Sequence, residues 1–491
     1  MKASSNGLAF SHLFFVDDLI LFAKADMKNC CNIREVLDSF CELSGQKISH
    51  NKSKVYFSPN VDQEQRGSMC EVLGIRSTPN LGKYLGFPLK HPGSTTRDFN
   101  FVLERVQNKL QGWKANLLSM AGRITLSQAA LSAVPSYVMQ GCVLPSRVLN
   151  SLDRINRNFI WGSTEEAKKI HMVNWGKVTK PKAKGGLGLQ EAKGRNLALV
   201  AKLCWRMENS NNAKWAEVLK KKYRRRAVPS KGAKSRIWVA VTKGSRVCEK
   251  GSKWSIGSNS NLSFWNDKWL NFGTIRSLIE GPLLRGEEEL LVKDVMVNRS
   301  WDLNTLSFDF NDLIRRSILA TPLRRISQRE DQLCWISSSN GEFDSKNAYL
   351  LAIGENPESP DFHGKWLWKL NMPPKIQVFL WKCLHNSLPV KGILTQRGIV
   401  DLGGCDVCPN IEEDILHVLR DCYAAQGFWA AAKCPQTLLS SFTSDLASWI
   451  TANAKSSFKA GSKDYPGALF SCLGFGTYGC SVITGSLSSK L

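Results

Sequence analysis

Three groups of side chains in this 491-residue sequence have the types and spacing to do chemistry together. The first is Cys405-x2-Cys408-x8-His417-x4-Cys422. A Cys-x2-Cys turn lets two thiolates meet one ion, and a His and a Cys about one helical turn apart close a tetrahedron. Four soft or borderline ligands of this kind hold structural Zn2+ and leave no open position for a catalytic water. With 15 cysteines in the chain, one Cys-x2-Cys pair means little by itself; the His-x4-Cys that follows gives the set its weight. The second group is Asp17-Asp18, set between the apolar runs Leu13-Phe-Phe-Val16 and Leu19-Ile-Leu-Phe-Ala23. Burying charge costs several kcal/mol unless it is compensated, so two carboxylates at a strand turn either face water or share a cation such as Mg2+, which takes carboxylates together with substrate phosphates. Taken alone, the water-facing turn is the simpler reading. The third group is cationic. Residues 168–250 hold 23 Lys or Arg against four acids, and Lys220, Lys221, Lys222, Arg224, Arg225 and Arg226 form its densest run.

The stretch 168–250 dominates the charge of the whole chain, which carries 66 Lys or Arg, 42 Asp or Glu and a formal net charge of +24. Charge this concentrated points to a polyanion, with nucleic acid favoured over an anionic membrane. The run 220–226 is expected to meet phosphates, the alternative being a solvated helix face. An odd number of cysteines without a regular framework argues against a disulfide scaffold and for a reducing compartment, cytoplasmic or nuclear. The first ten residues lack a signal peptide's apolar centre, and no apolar run is long enough for a transmembrane helix, so no membrane partner is expected.

These groups need elements to position them. The runs flanking the aspartates read as buried strands and a hairpin. A helix is expected to about Leu43 with a turn at Ser44-Gly45-Gln46, then short strands near 54–58 and 84–88. Leu103, Val106, Leu110, Trp113 and Leu117 make an amphipathic stripe, and Val148, Leu152, Ile155 and Phe159 another; both are expected to be core. Residues 180–188 (KPKAKGGLG) break the pattern before a helix over roughly 194–207. Sixteen tryptophans are many, and although indoles stack on bases, most are expected in core. The tail beyond Trp429 has few acids and no periodic pattern.

The stretch His12-Leu-Phe-Phe-Val-Asp-Asp-Leu-Ile-Leu-Phe22 resembles the catalytic hairpin of plant LINE-type (non-LTR) retrotransposon reverse transcriptases, with Val16 where that family has Ala. Ser44-Gly-Gln-Lys-Ile-Ser-His-Asn-Lys-Ser53 is similar to the next palm segment, with Lys52 at the family's lysine, and Lys83-Tyr-Leu-Gly-Phe-Pro-Leu89 to the one after it. Downstream, Gly341-Glu-Phe-Asp-Ser-Lys-Asn-Ala-Tyr349, Lys365-Trp-Leu-Trp-Lys-Leu370 and the Cys/His set resemble the zinc-binding module of these enzymes. The resemblance implies an α+β, predominantly helical chain. It would comprise a C-terminal part of a palm (1–95), a thumb-like helical region (96–165), a basic Trp-rich connector (166–340), the zinc module (341–430) and a degenerate or disordered tail (431–491).

It further implies an RNA-directed DNA polymerase fragment with RNA and DNA as partners. Asp17 and Asp18 would hold Mg2+, Lys52 would face the incoming triphosphate, and Cys405, Cys408, His417 and Cys422 would hold Zn2+. The family's palm draws a third metal-binding aspartate and its fingers from segments before the hairpin, and only 16 residues precede Asp17 here. The expectation is therefore no polymerase activity for the isolated chain, unless a separate reverse-transcriptase core supplies them. The alternative is a non-catalytic zinc- and nucleic-acid-binding protein derived from such an element. No ribonuclease H motif is recognised in the tail.

Overall fold

A computed structural model describes residues 8–89, 96–111, 117–164, 166–209, 213–223, 234–297, 300–322, 330–355, 360–431 and 440–455. The longer helices are α1 (Met27–Ser44), α2 (Gln63–Leu73), α3 (Asn100–Gln111), α4 (Ser146–Trp161), α5 (Ala192–Asn209), α6 (Lys214–Tyr223), α7 (Arg236–Gly251), α8 (Asp312–Leu319), α9 (Ser345–Ile353), α10 (Pro374–Leu384), α11 (Tyr423–Ala431) and α12 (Leu446–Lys455). The strands form two-stranded antiparallel ladders: β1 (His12–Phe15) with β2 (Asp18–Leu21), β3 (Lys83–Tyr84) with β4 (Phe87–Pro88), β5 (Ser252–Ser255) with β8 (Gln332–Trp335), and β6 (Met296–Val297) with β7 (Ser300–Trp301). The fold is α+β and mainly helical. No helix among the described residues is long and apolar enough to cross a membrane.

Local chemistry sets the helix ends. Asp26 accepts from the Asn29 amide at 2.8 Å and starts α1, and Gly45, at φ +68°, ends it in the left-handed conformation that a side chain resists. Asn311 starts α8 in the same way by accepting from Ile314 at 2.9 Å, and Pro373-Pro374 opens α10 where no amide is required.

The chain divides into two compact units built from alternating segments: residues 1–100, 136–145 and 194–357, and residues 101–135, 146–193 and 358–491. The first unit has two large apolar clusters. One gathers Phe264, Trp265, Trp269, Phe310 and Ile318, with Trp301 stacked on Trp269 at 5.2 Å. The other joins α5, α6, α7, β8 and α9 around Met207, Val247, Trp335 and Tyr349. Helices α5 and α7 touch backbone to backbone there: a Cβ on Gly244 would lie 2.4 Å from the Val200 carbonyl oxygen. The tryptophans of the expected connector are thus largely core.

In the second unit α4 buries Val148, Leu149, Leu152, Phe159 and Ile160, and α10 packs against the helix Met120–Leu126 and against α12. The Lys-Gly loop is clamped to α10. The Trp381 indole donates to the Gly185 carbonyl at 2.8 Å, and His385 Nε2 approaches the same oxygen at 2.8 Å.

Several expectations are corrected. The strands beside the aspartates are exposed rather than buried. Residues 54–58 make a single parallel bridge, Val55 with Ser77, instead of a strand. Of the stripe expected over 103–117, Val106 is buried, Leu103 and Leu110 are half-buried, Leu117 is exposed, and Trp113 lies outside the described residues. The tail is not featureless from 431: residues 440–455 form a 3-10 turn and α12, with Trp449 and Ile450 fully buried. Residues 432–439 and 456–491 lie outside the described residues.

Candidate metal centre and nucleic-acid interface

Cys405 and Cys408 sit on a tight turn closed by a one-pair antiparallel bridge, Gly404 with Glu412. The Cys405 amide donates to the Ile411 carbonyl at 2.9 Å, and Asn410 takes φ +60°, a conformation that Asn tolerates better than most residues. His417 and Cys422 flank a π-helical turn, His417–Asp421, in which the Cys422 amide donates to the His417 carbonyl at 2.8 Å. The turn type matters. In an α-helix of about 3.6 residues per turn, positions five apart diverge on the cylinder, whereas the wider π-turn realigns them. Asp414 starts the turn by accepting from the His417 amide at 2.6 Å.

The four donor atoms converge within 4.8 Å of one another. The Cys422 sulfur lies 3.9 Å from that of Cys405 and 3.7 Å from that of Cys408. A tetrahedral zinc with Zn–S bonds of about 2.3 Å separates its sulfurs by about 3.8 Å, so the sulfur spacing is already that of the bound site. Nε2 of the buried His417 has no hydrogen-bond partner, a costly state for a buried nitrogen that a metal bond resolves. The Val407 and Tyr423 amides point at the sulfurs of Cys405 and Cys408 at 3.4 and 3.5 Å, the polar support that thiolates need. Burial pushes the Cys422 thiol up to about 11 against a hydrogen bond from the Ala424 backbone, with the neighbouring Cys408 and Cys405 thiols adding to the rise. A divalent cation supplies the charge that holds such thiols ionised. The residues fit zinc, and all four positions of the tetrahedron are filled by protein.

The surroundings were not readable from ligand spacing. Buried Glu413 accepts from the Lys391 amide at 2.8 Å, and its carbonyl accepts from Gly392 at 3.0 Å, fixing the start of the helix Lys391–Gln396 against the knuckle. Lys391 also pairs with Asp406. Arg420 grips Asp421 with two nitrogens at 2.6 and 3.0 Å and donates to the Ser444 carbonyl at 2.7 Å, tying the π-turn to the segment before α12. The one signal in the sequence is the run of charged residues 412–414 and 420–421, whose roles only the fold distinguishes.

Asp17 lies in the β1–β2 turn and Asp18 opens β2 opposite Phe15, both exposed. The hairpin is therefore present with its carboxylates at the tip, but its apolar residues are uncovered: Phe14 is 62%, Phe15 56% and Val16 76% exposed. Val16 has φ +53°, a strained conformation for a β-branched residue. Lys52 is exposed in a turn, its amide donating to Ser49 at 3.1 Å. Among the described residues, the Cys/His set is the one cluster of potential ligands; Asp17, Asp18 and Lys52 are not brought together with a third carboxylate. Such a pair does not by itself make a two-ion clamp.

Of the cationic run, Lys220, Lys221 and Lys222 end α6, with Lys221 held by Glu217 at 2.5 Å and Lys222 over the Tyr223 ring. Arg224, Arg225 and Arg226 lie outside the described residues. Lys202 and Arg206 on α5, and Lys243, Arg246 and Lys250 on α7, are also exposed.

Residues 343–429 match the family described as zinc-binding in reverse transcriptase. The chain carries the zinc-binding domain of reverse transcriptases. This domain contains all four ligands, and it makes the protein retroelement-related. The chain is also 33% identical over 380 residues to an Arabidopsis thaliana protein provisionally named a ribonuclease H protein, a match covering 75% of this chain and 61% of the relative. It thus spans about three-fifths of that relative's length. A second relative, an uncharacterized mitochondrial protein of the same plant, is 28% identical over 143 residues, covering 28% of this chain and 93% of that protein.

Proposed function

We propose that the protein is a zinc-stapled, nucleic-acid-binding portion of a non-LTR retrotransposon reverse transcriptase, with RNA and DNA as its partners in the nucleus or cytoplasm. The observation that carries this reading is the closed Cys3His centre within a domain of reverse-transcriptase type. Four protein ligands leave no place for substrate, so the centre's work is to hold a fold that presents other surfaces. The charge of +24 supplies the attraction for a polyanion. On this reading 1–95 is the end of a palm, 96–165 a thumb, 166–340 the connector and 341–430 the zinc module. Lys220, Lys221, Lys222, Arg224, Arg225 and Arg226 contribute phosphate contacts. A separate reverse-transcriptase core is the partner that would cover the exposed hairpin.

Within that reading Asp17 and Asp18 are the palm's metal-binding turn and Lys52 its triphosphate-facing cation. Mg2+, when bound there, would supply charge neutralisation for phosphoryl transfer. A second reading is a zinc- and nucleic-acid-binding protein without catalysis, favoured by the Cys/His set, whose four side chains would enclose a metal and leave no position for substrate. Primer extension on an RNA template, beside an Asp17→Asn/Asp18→Asn variant, separates the two. Incorporation that the variant abolishes supports the polymerase. Binding that falls steeply with salt, without incorporation, supports the second reading. Affinity that stays flat across salt in the wild type would sink both.

A further inference from the structure

We infer that the outer face of α7 is a seat for the phosphodiester backbone of a nucleic-acid duplex, gripped without base readout; this deepens the binding reading above and rests on it. Lys243, Arg246 and Lys250 are exposed and recur at steps of three and four, so they share one face. At a rise of about 1.5 Å per residue they span about 10 Å of helix axis, over which each strand of a duplex presents about three phosphates. Among the described residues none of the three is paired with a carboxylate, in contrast to Lys221, which Glu217 already holds.

The end of α7 is also prepared for an anion. A helix C-terminus repels negative charge through its unpaired carbonyls. Here Lys268 Nζ donates to the Glu249 carbonyl at 2.7 Å and to the Lys250 carbonyl at 3.0 Å, covering two of them with a cation. The opposite face fixes the helix rigidly: Gly244 lies on the Val200 backbone, and the Cys248 thiol donates to the Ala201 carbonyl at 3.0 Å.

What the face lacks defines the ligand. Its exposed residues are Thr242, Lys243, Arg246, Glu249 and Lys250, with no aromatic ring and no side-chain amide. Single strands are held by stacking bases on aromatic rings, and the nearby rings are engaged elsewhere. Trp238 stacks on Tyr223 at 4.6 Å, Trp205 packs on Trp335 at 5.7 Å, and Arg206 covers Trp215. Adenine recognition draws on Asn or Gln, also absent, and the deep, narrow major groove of an RNA duplex keeps Lys and Arg from the guanine edges they read in DNA. An anionic bilayer fits less well, because α7 turns its apolar side into the core, and its exposed Ile237, seven residues before Gly244, lies on the side away from the cations.

The test is fluorescence anisotropy of the full chain with a short RNA duplex, its single strand, and phosphatidylserine vesicles, across a salt series. The variants are Lys243→Ala/Arg246→Ala/Lys250→Ala and, as a comparison, Lys220→Ala/Lys221→Ala/Lys222→Ala. The α7 variant is expected to weaken duplexes of different sequence equally and to shrink the log–log salt slope by about two to three. In the wild type, duplex should shield Lys243 and Lys250 from amine acetylation, a readout independent of any variant's folding. An unchanged slope with unshielded lysines overturns the assignment, as does tighter binding of the single strand, or loss of vesicle binding alone. A wild-type chain that binds no nucleic acid overturns the underlying reading instead.

Discussion

Both chemical motifs of this protein sit on short antiparallel turns, yet the two regions are built to opposite standards. At the Asp17–Asp18 hairpin the flanking Phe14 and Phe15 are more exposed than not, and the segment behind it has a small buried core of Cys30, Met69 and Leu73. At the Cys3His knuckle three of four ligands are buried, and Arg420, Glu413 and Trp449 bind the turn into its unit. The difference lies in where each motif finds its partners. Zinc coordination closes within an 18-residue stretch, so the site completes itself. A two-stranded ladder satisfies neither its apolar faces nor its outer edges and needs further strands, which the described residues do not provide.

The largest test of this contrast is removal of the metal. Zinc in small Cys/His modules contributes on the order of 10 kcal/mol to folding. A chelator, or Cys408→Ser, should abolish amide-exchange protection across 403–431 and leave residues 8–89 as they were. Equal loss in both regions would erase the distinction. Next come the aromatics. Trp449→Ala should cost about 3–5 kcal/mol, read as faster exchange across 417–455, whereas Phe14→Ala should stay within about 0.5 kcal/mol. A large effect at Phe14 would mean that something covers the hairpin.

A third, smaller test concerns a buried carboxylate of the second unit. Asp153 on α4 accepts from the Ala192 amide at 3.0 Å, and burial pushes its carboxyl up to about 6, against the lowering effect of that hydrogen bond. A carboxyl raised in the folded state favours the folded form when protonated. Its stabilising contribution is complete at acid pH and is lost as pH rises from about 4 to about 6. Relative to Asp153→Asn, the wild type should therefore lose thermal stability over that window, by about 3 kcal/mol at most. A flat Asp153 comparison would remove the burial argument.

How much of this could be read in the sequence follows the same division. The zinc ligands were legible because metal geometry constrains spacing over a few residues, and α1, α5 and α4 because caps and a 3.6-residue stripe are local signals. The acidic hairpin was legible as a hairpin, since alternation of runs and turn is local too. Its burial was not, because exposure depends on what packs against it. Leu117, expected on a core-facing stripe, is exposed, and Trp449 is core although its surroundings lack an obvious stripe. In both cases tertiary contacts decide what periodicity alone leaves open. Glu413 and Arg420 carry ordinary surface residue types and acquire roles only from their neighbours.

The π-turn at His417–Asp421 has a consequence for the reading frame of the zinc site. A turn wider by one residue is what makes a gap of four between histidine and cysteine usable, since an α-turn would serve a gap of three. The number of residues between two ligands is thus a measurement of the helix that joins them. Deleting one residue from this turn exchanges a bulged helix for a regular one, in which positions four apart again share a face. A zinc ligand pair thus becomes a ruler for backbone geometry that no residue preference records.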